Sequence, residues 1–264
     1  MPVVDIASSP LAPGVSPVRI HYRTTGAGSP LLFLHGGWGY GIYPIDRQVA
    51  ALADRHRIVI PDRSGYGGSG RIDELPADFH RRALEETRAV VDALGLERPM
   101  LWGHSDGAIV ALLYALAWPD RVKGVIVEAM HYLKRKPSSR TFFEEAIRDP
   151  RSLGAGVGAV LERDHGATWP RVIELHARAW LRIADEARSD DEDFYAGRLG
   201  DVAAPVLVVH GARDPRTEPG EMDAVRRALG SASVVILPDG GHSPHSERAT
   251  ADTVTTLVDT FLRT

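Results

Sequence analysis

The sequence contains no cysteine among its 264 residues. This absence excludes disulfide bonds, thiolate metal sites and cysteine nucleophiles together. No segment approaches the about 20 consecutive apolar residues that cross a membrane. The first 16 residues also lack the basic start and the long apolar segment of a secretory signal peptide. We therefore expect a soluble, cytoplasmic protein that does not contact a membrane.

Clusters of basic residues are equally scarce. The formal net charge is −4, and the densest basic cluster is Lys134-Arg135-Lys136. Three residues are more typical of a solvated loop than of a nucleic-acid-binding face, so no nucleic-acid partner is expected. The histidines of the same region, His131, His165 and His176, show no metal-ligand spacing. We predict that they are packed or solvated and that no metal binds.

Short apolar runs alternate with helical segments along most of the chain. Strands are predicted over residues 3–6, 18–22, 31–34, 57–60, 100–103, 122–127, 206–209 and 233–237. Helices are predicted over residues 43–56, 79–94, 108–118, 221–229 and 250–262. This alternation implies a mostly parallel, doubly wound α/β sheet with right-handed crossovers.

The alternation stops between residues 131 and 200, where only helical segments such as 141–148 and 171–187 are found. One face of the second segment is apolar and comprises Ile173, Ala177, Trp180, Leu181 and Ala184. We therefore predict a core made of residues 1–130 and 201–264, with residues 131–200 forming a helical cap. The cap would cover the carboxyl ends of the strands, where open α/β sheets bind ligands.

The segment Gly103-His104-Ser105-Asp106-Gly107 joins a predicted strand to a predicted helix. Gly-x-Ser-x-Gly in this position is typical of a nucleophile elbow. A serine hydroxyl reacts only when it is exposed and placed next to a base, and a sharp turn exposes it. The two glycines leave space where a Cβ would collide with neighbouring backbone. The sequence therefore predicts Ser105 as a nucleophile.

An acid and a base follow later strands. Asp214 comes just after the strand at 206–209, and His242 lies in a glycine-rich loop after the strand at 233–237. His242 would take the proton from Ser105, while Asp214 would hold the imidazole tautomer and stabilise the imidazolium. Glu128 is an alternative acid, because it also follows a strand, and His245 is an alternative base.

Taken together, these segments resemble the α/β-hydrolase family over essentially the whole chain. The matching motifs are His35-Gly36-Gly37, Asp62-Arg63 with Gly65 and Gly67, Gly103 to Gly107, His210-Gly211 with Asp214, and Gly241-His242-Ser243-Pro244. The order of nucleophile, acid and base also agrees with that family. Within it, the chain is similar to the serine-nucleophile esterases, including carboxylesterases and biphenyl-hydrolase-like proteins. The resemblance implies an oxyanion hole formed by the backbone N–H groups of Gly37 and Asp106, and no cofactor.

The resemblance further implies that a carboxylic ester, or a related acyl bond of a small molecule, is cleaved through an acyl-enzyme on Ser105. Carbon–carbon bond hydrolases, lactonases, thioesterases and perhydrolases share the same triad and remain alternatives. An aspartate-nucleophile dehalogenase or epoxide hydrolase is disfavoured, because the elbow holds serine. A hydrolase-fold binding protein without catalysis is the alternative from a different class. We expect a monomer or a homodimer.

Four residues are predicted to contact the substrate, namely Trp38, Asp106, Trp169 and Trp180. Trp38 adjoins the oxyanion turn, and the two cap tryptophans would line an apolar acyl pocket. Asp106 has two interpretations. Its carboxylate either complements the helix dipole or receives a cationic substrate group, as the Ser-Asp-Gly sequence of some biphenyl-hydrolase-like relatives implies.

Overall fold

Within residues 1–230 and 232–264, which the computed structural model describes, eight strands form one sheet. The strands are β1 (Val3–Ile6), β2 (Val18–Thr25), β3 (Ser29–Leu34), β4 (His56–Pro61), β5 (Met100–His104), β6 (Gly124–Glu128), β7 (Val206–Gly211) and β8 (Ser233–Leu237). Their order is β1-β2-β4-β3-β5-β6-β7-β8. Pairing is antiparallel at β1–β2 and β2–β4 and parallel from β4 to β8. The predicted doubly wound, mostly parallel sheet is therefore confirmed.

Helices cover both faces of this sheet. They are α1 (Asp46–Leu52), α2 (Phe79–Ala93), α3 (Asp106–Ala117), α4 (Pro137–Arg148), α5 (Ala155–His165), α6 (Trp169–Glu186), α7 (Glu221–Leu229) and α8 (Ala251–Leu262). Alternate residues of β3 enter different apolar clusters. Leu32 and Leu34 pack with α2 and α3, whereas Leu31 and Phe33 pack with α1 and α8. Burial on both faces explains why the central strands are continuous apolar runs.

The predicted bounds of the first helix, residues 43–56, are wrong at both ends. The observed helix α1 begins at Asp46 and ends at Leu52. Tyr43 precedes Pro44, and proline disfavours helical backbone at the preceding residue. At the other end, His56 already belongs to β4. The remaining boundaries differ from prediction by only a few residues; α3, for example, starts at Asp106.

Residues 131–200 contain α4, α5 and α6 and, in the part of the chain that the structure describes, no strand beyond one bridge between Leu133 and Asp193. Helix α5 is the one that the sequence pattern did not single out, because Gly156 and Gly158 weaken its helical propensity. The predicted buried face of α6 is observed, although Ile183 is buried where Leu181 is only half-buried. None of the helices in the described ranges is long and apolar enough to cross a membrane.

Candidate active site

The turn between β5 and α3 has the backbone geometry of a nucleophile elbow. Ser105 adopts φ 54° and ψ −117°, a conformation that costs a non-glycine residue about 1–3 kcal/mol. A Cβ on Gly103 would lie 2.2 Å from the carbonyl oxygen of Gly107, and one on Gly107 would lie 1.9 Å from that of Leu34. Both positions therefore require glycine. The backbone N–H of Ser105 also donates a hydrogen bond to the carbonyl of Glu128 at 2.9 Å, which helps to fix the turn.

The three predicted catalytic side chains lie together at the carboxyl edge of the sheet. The Oγ of Ser105 is 3.2 Å from Nε2 of His242, whose Nδ1 lies 2.9 Å from a carboxylate oxygen of Asp214. With Nδ1–H donating to the carboxylate, the Nε2 lone pair faces Ser105. Burial raises the pKa of Asp214, but hydrogen bonds from His242 and from the Arg216 N–H outweigh it, so that the pKa lies well below its usual value. Asp214 is therefore ionised at neutral pH.

The alternative acid and base, Glu128 and His245, are paired with each other. Oε1 of Glu128 accepts from the backbone N–H of His245 at 2.7 Å and from its Nδ1 at 2.9 Å. The other ring nitrogen, Nε2, donates to the carbonyl of Tyr43 at 2.9 Å. Both ring nitrogens thus face acceptors, which favours the imidazolium. Burial alone lowers the pKa of His245, but the Glu128 carboxylate raises it above its usual value.

Two backbone donors lie beside the nucleophile. Gly36 packs against Ser105, since a Cβ on Gly36 would lie 3.0 Å from the Ser105 Cβ. Among the described residues, neither the N–H of Gly37 nor that of Asp106 donates a hydrogen bond within the protein. Asp106 is also the first residue of α3, where backbone N–H groups have no intrahelical partner. These two N–H groups therefore have no partner among the described residues, and their role as an oxyanion hole stays a prediction.

The side chain of Asp106 points into a buried polar cluster between α2, α3 and α6. Its carboxylate contacts Nε2 of His80 at 3.1 Å, Nε2 of His176 at 2.8 Å and Nε1 of Trp180 at 3.1 Å. Burial raises the pKa of Asp106, but the two histidines hold it well below its usual value. The carboxylate does not line the cavity above Ser105. A contact with a cationic substrate group has no support in this arrangement.

A cavity lies over Ser105. Trp38 and Trp180, two of the predicted substrate contacts, are among its lining residues. Trp169 does not line the cavity. Its ring packs within the insertion (residues 131–200), near Gly158 and the guanidinium of Arg151. The lining comprises Gly37, Trp38, Tyr43, His104, Ser105, His131, Lys136, Ser139, Phe143, His176, Trp180, Arg216 and His242.

The structure brings a second imidazole to the nucleophile. Nε2 of His131 lies 3.4 Å from the Oγ of Ser105, and its ring is 5.8 Å from that of His242. The sequence analysis had assigned His131 to packing or solvent. The available signal was its place three residues after β6, at the edge of the sheet where the other site residues lie. His165 is packed as expected, with Nε2 on the Trp38 carbonyl at 2.9 Å.

No group of three or more histidine, aspartate or glutamate side chains in the described ranges is arranged to hold a metal ion.

Known proteins resemble this chain over most of its length. The model of the alpha/beta hydrolase family matches residues 31–256. The human serine hydrolase BPHL is 29% identical over 257 residues, which cover 94% of this chain and 84% of that protein. The putative carbamate hydrolase RutD of Azorhizobium caulinodans is 38% identical over 41% of this chain and 40% of its own length.

Solved structures share the fold at low sequence identity. An esterase from Thermogutta terrifontis is 23% identical and superposes with a TM-score of 0.73, covering 100% of this chain and 98% of that one. An epoxide hydrolase from Bacillus megaterium is 18% identical and has a TM-score of 0.72, with both chains fully covered.

Proposed function

This chain belongs to the alpha/beta hydrolase family, and we propose that it is a serine hydrolase that cleaves a carboxylic ester or a related acyl bond. The observation that supports this most directly is the contact of 3.2 Å between Ser105 Oγ and His242 Nε2, with Nδ1 of the same ring 2.9 Å from Asp214. The similarity to a protein named as a serine hydrolase supports it further. We also propose that residues 131–200 act as a cap on a core of residues 1–130 and 201–264.

The reaction follows from these contacts. Ser105 Oγ attacks the carbonyl carbon while its proton moves to Nε2 of His242. Asp214 stabilises the imidazolium that forms. The N–H groups of Gly37 and Asp106 receive the oxyanion of the tetrahedral intermediate, and the loss of one such donor typically costs about 3–4 kcal/mol of transition-state stabilisation.

The imidazolium of His242 then protonates the leaving alcohol, and an acyl-enzyme remains on Ser105. A water molecule deprotonated by His242 attacks this ester and releases the acid. The same groups serve a thioester, a lactone, a perhydrolase reaction or an activated carbon–carbon bond, so these stay alternatives within the proposal. A burst of product from a chromogenic short-chain ester would distinguish any of them from a binding protein that does not turn over ligand.

Covalent labelling tests the proposal. A fluorophosphonate should label Ser105, and Ser105→Ala should lose both the label and ester hydrolysis while keeping its fold. Ser139→Ala is the matched control, because Ser139 lines the same cavity but its hydroxyl has no imidazole partner in the described residues. That variant should be labelled like the wild type. Full hydrolytic activity in Ser105→Ala would contradict the proposal.

A further inference from the structure

Among the described residues, the formally charged side chains that line the cavity are basic. Among the described residues that line it, Lys136 and Arg216 carry positive charge and none is a carboxylate. Asp106, the acidic residue next to the nucleophile, directs its carboxylate away into the cluster with His80, His176 and Trp180. The cavity thus offers a substrate cationic groups and hydrogen-bond donors but no anionic side chain.

The charge of Lys136 is already balanced within the protein. Its Nζ forms a buried ion pair with Oε1 of Glu221, and both side chains are almost inaccessible. The same carboxylate oxygen accepts the backbone N–H groups of Tyr132 and Leu133 at 2.8 and 3.0 Å. Burying an ion pair is tolerated only when its remaining hydrogen-bonding capacity is satisfied, as it is here. The pair of Lys136 and Glu221 therefore carries no net charge and forms a fixed part of the cavity wall.

Arg216 differs from Lys136, since its guanidinium has no such partner. It lies 4.1 Å above the centre of the Phe142 ring and 5.4 Å from that of Phe143. Among the described residues it forms no salt bridge, and only its backbone N–H contacts Asp214. Burial lowers the pKa of Arg216, yet a guanidinium stays protonated at neutral pH.

The two carboxylates whose charges act on Arg216 are already hydrogen-bonded to other side chains. Asp214 accepts from His242, and Asp106 accepts from two histidines and a tryptophan. Arg216 is half-buried, and a charge that is partly removed from water without a carboxylate partner gains free energy when it binds an anion. The planar fork of a guanidinium matches a carboxylate, which it binds through two parallel hydrogen bonds.

We propose that the substrate carries a carboxylate in addition to its scissile bond, and that Arg216 binds this carboxylate while Ser105 attacks. The inference rests on the proposed function, because it names the substrate class of the same site. The substrate group proposed here is anionic, whereas a contact with Asp106 would require a cationic group. Arg216 is in this account a specificity-determining residue and takes no part in proton transfer.

A pair of isosteric esters tests this inference. Monomethyl adipate carries a carboxylate at the position where methyl 5-carbamoylpentanoate carries a neutral amide. The wild type should hydrolyse the anionic ester with a kcat/KM about 10- to 100-fold higher, the range of a charge-assisted hydrogen bond. Arg216→Gln should abolish this preference, mainly by raising KM for the anionic ester.

Two further variants separate charge from packing. Arg216→Lys keeps the charge without the fork and should retain part of the preference. Arg213→Gln is the matched control, because Arg213 belongs to the same loop but is exposed and paired with Asp239 at 2.5 Å. It should behave like the wild type. Equal rates for the two esters in the wild type, or a preference that survives in Arg216→Gln, would overturn the inference.

Binding measured without turnover separates this inference from the proposed function. In Ser105→Ala, calorimetry should show monomethyl adipate binding about tenfold more tightly than the amide ester, and adding Arg216→Gln should remove the difference. Equal affinities in Ser105→Ala would refute the anion site. If instead the wild type takes no label and hydrolyses neither ester while this binding difference is present, the proposed function fails and the anion site stands.

Discussion

Ser105 has two imidazole rings within reach of its hydroxyl, at 3.2 Å for His242 and 3.4 Å for His131. Their surroundings differ. His242 is backed by the ionised Asp214, whereas burial and the positive charge of Lys136 lower the pKa of His131 well below its usual value. A ring that resists protonation is a poor acceptor for the serine proton. We therefore assign proton transfer to His242 and orientation of the hydroxyl to His131.

The assignment of the acid can be tested by comparing two carboxylates. Asp214→Asn should lower kcat by about 10⁴, because an amide permits the wrong tautomer of His242. Glu128→Gln should change kcat little, since Glu128 contacts His245 and not His242. Steady-state hydrolysis of one chromogenic ester, with thermal unfolding as a check on folding, measures both. A larger loss in Glu128→Gln would move the acid to the end of β6.

The role of His131 leads to a different expectation. His131→Gln should lower kcat/KM by about tenfold, the value of one hydrogen bond of about 1.4 kcal/mol, and fluorophosphonate labelling should persist. Because burial and the charge of Lys136 lower the pKa of His131 well below its usual value, the shape of the pH–kcat profile should be that of the wild type. A profile whose acidic limb disappears in His131→Gln would make His131 the base.

At the scale of secondary-structure elements, the site depends on how closely α3 approaches β3. Gly107 in the first turn of α3 lies against the backbone of Leu34, at the carboxyl end of β3. This approach brings the N-terminus of α3 beside the turn that contains Gly36 and Gly37. The two N–H groups proposed as oxyanion donors therefore come from two elements whose separation depends on the absence of a side chain at Gly107.

A pair of glycine substitutions tests this dependence. Gly107→Ala places a Cβ 1.9 Å from the Leu34 carbonyl oxygen and should lower the free energy of unfolding by about 3 kcal/mol. Gly156→Ala in α5 meets no atom within 4 Å and should raise it by about 0.5–1 kcal/mol, through helix propensity. Denaturant unfolding measures both changes. Wild-type stability in Gly107→Ala would show that α3 does not need this approach.

At the scale of the whole molecule, buried polar pairs connect segments that are distant in sequence. The pair of Glu128 and His245 joins the end of β6 to the loop after β8, and Nε2 of His245 continues to the carbonyl of Tyr43 before α1. The pair of Lys136 and Glu221 likewise joins the insertion to α7. These contacts hold the loops around the cavity.

The first of these pairs predicts a pH dependence of stability. The folded-state pKa of His245 lies above its ordinary value of 6.5, so the pair's contribution is fully present below about pH 6.5. It is lost as the pH rises through the raised pKa. The difference in unfolding free energy between the wild type and His245→Gln should therefore shrink from pH 6 to pH 9. A difference that grows over this range would mean that His245 is neutral in the folded protein.

The cap proposal concerns how the insertion and the core act together. Trp180 and Phe143 line the cavity, whereas Trp169 packs away from it. Each buried methylene contributes about 0.8 kcal/mol, so kcat/KM should rise with acyl length until the cavity is filled. Trp180→Ala and Phe143→Ala should shift this optimum to longer chains, and Trp169→Ala should not. A flat profile in the wild type would mean that the insertion does not select acyl length.

The sequence by itself determined the sheet, its parallel strands and the family. These features depend on local rules: strands buried on both faces are continuous apolar runs, and the elbow needs glycine at positions 103 and 107. Local rules also explain the error in the first helix. Its predicted range rested on apolar periodicity alone, which does not register Pro44 near one end or the start of β4 at His56 near the other. The placement of Ser105, Asp214 and His242 at one edge also followed from strand order, since each comes after a parallel strand.

Only the tertiary structure decided which side chains meet. Glu128 pairs with His245 across 117 positions of sequence, and the carboxylate of Asp106 is directed to α2 and α6 and away from the cavity. For the same reason His131 reaches Ser105, and Arg216 lines the cavity without a carboxylate partner among the described residues. A side chain's partners depend on the packing of distant segments and on the cost of burying each charge, and neither is encoded in the residues next to it.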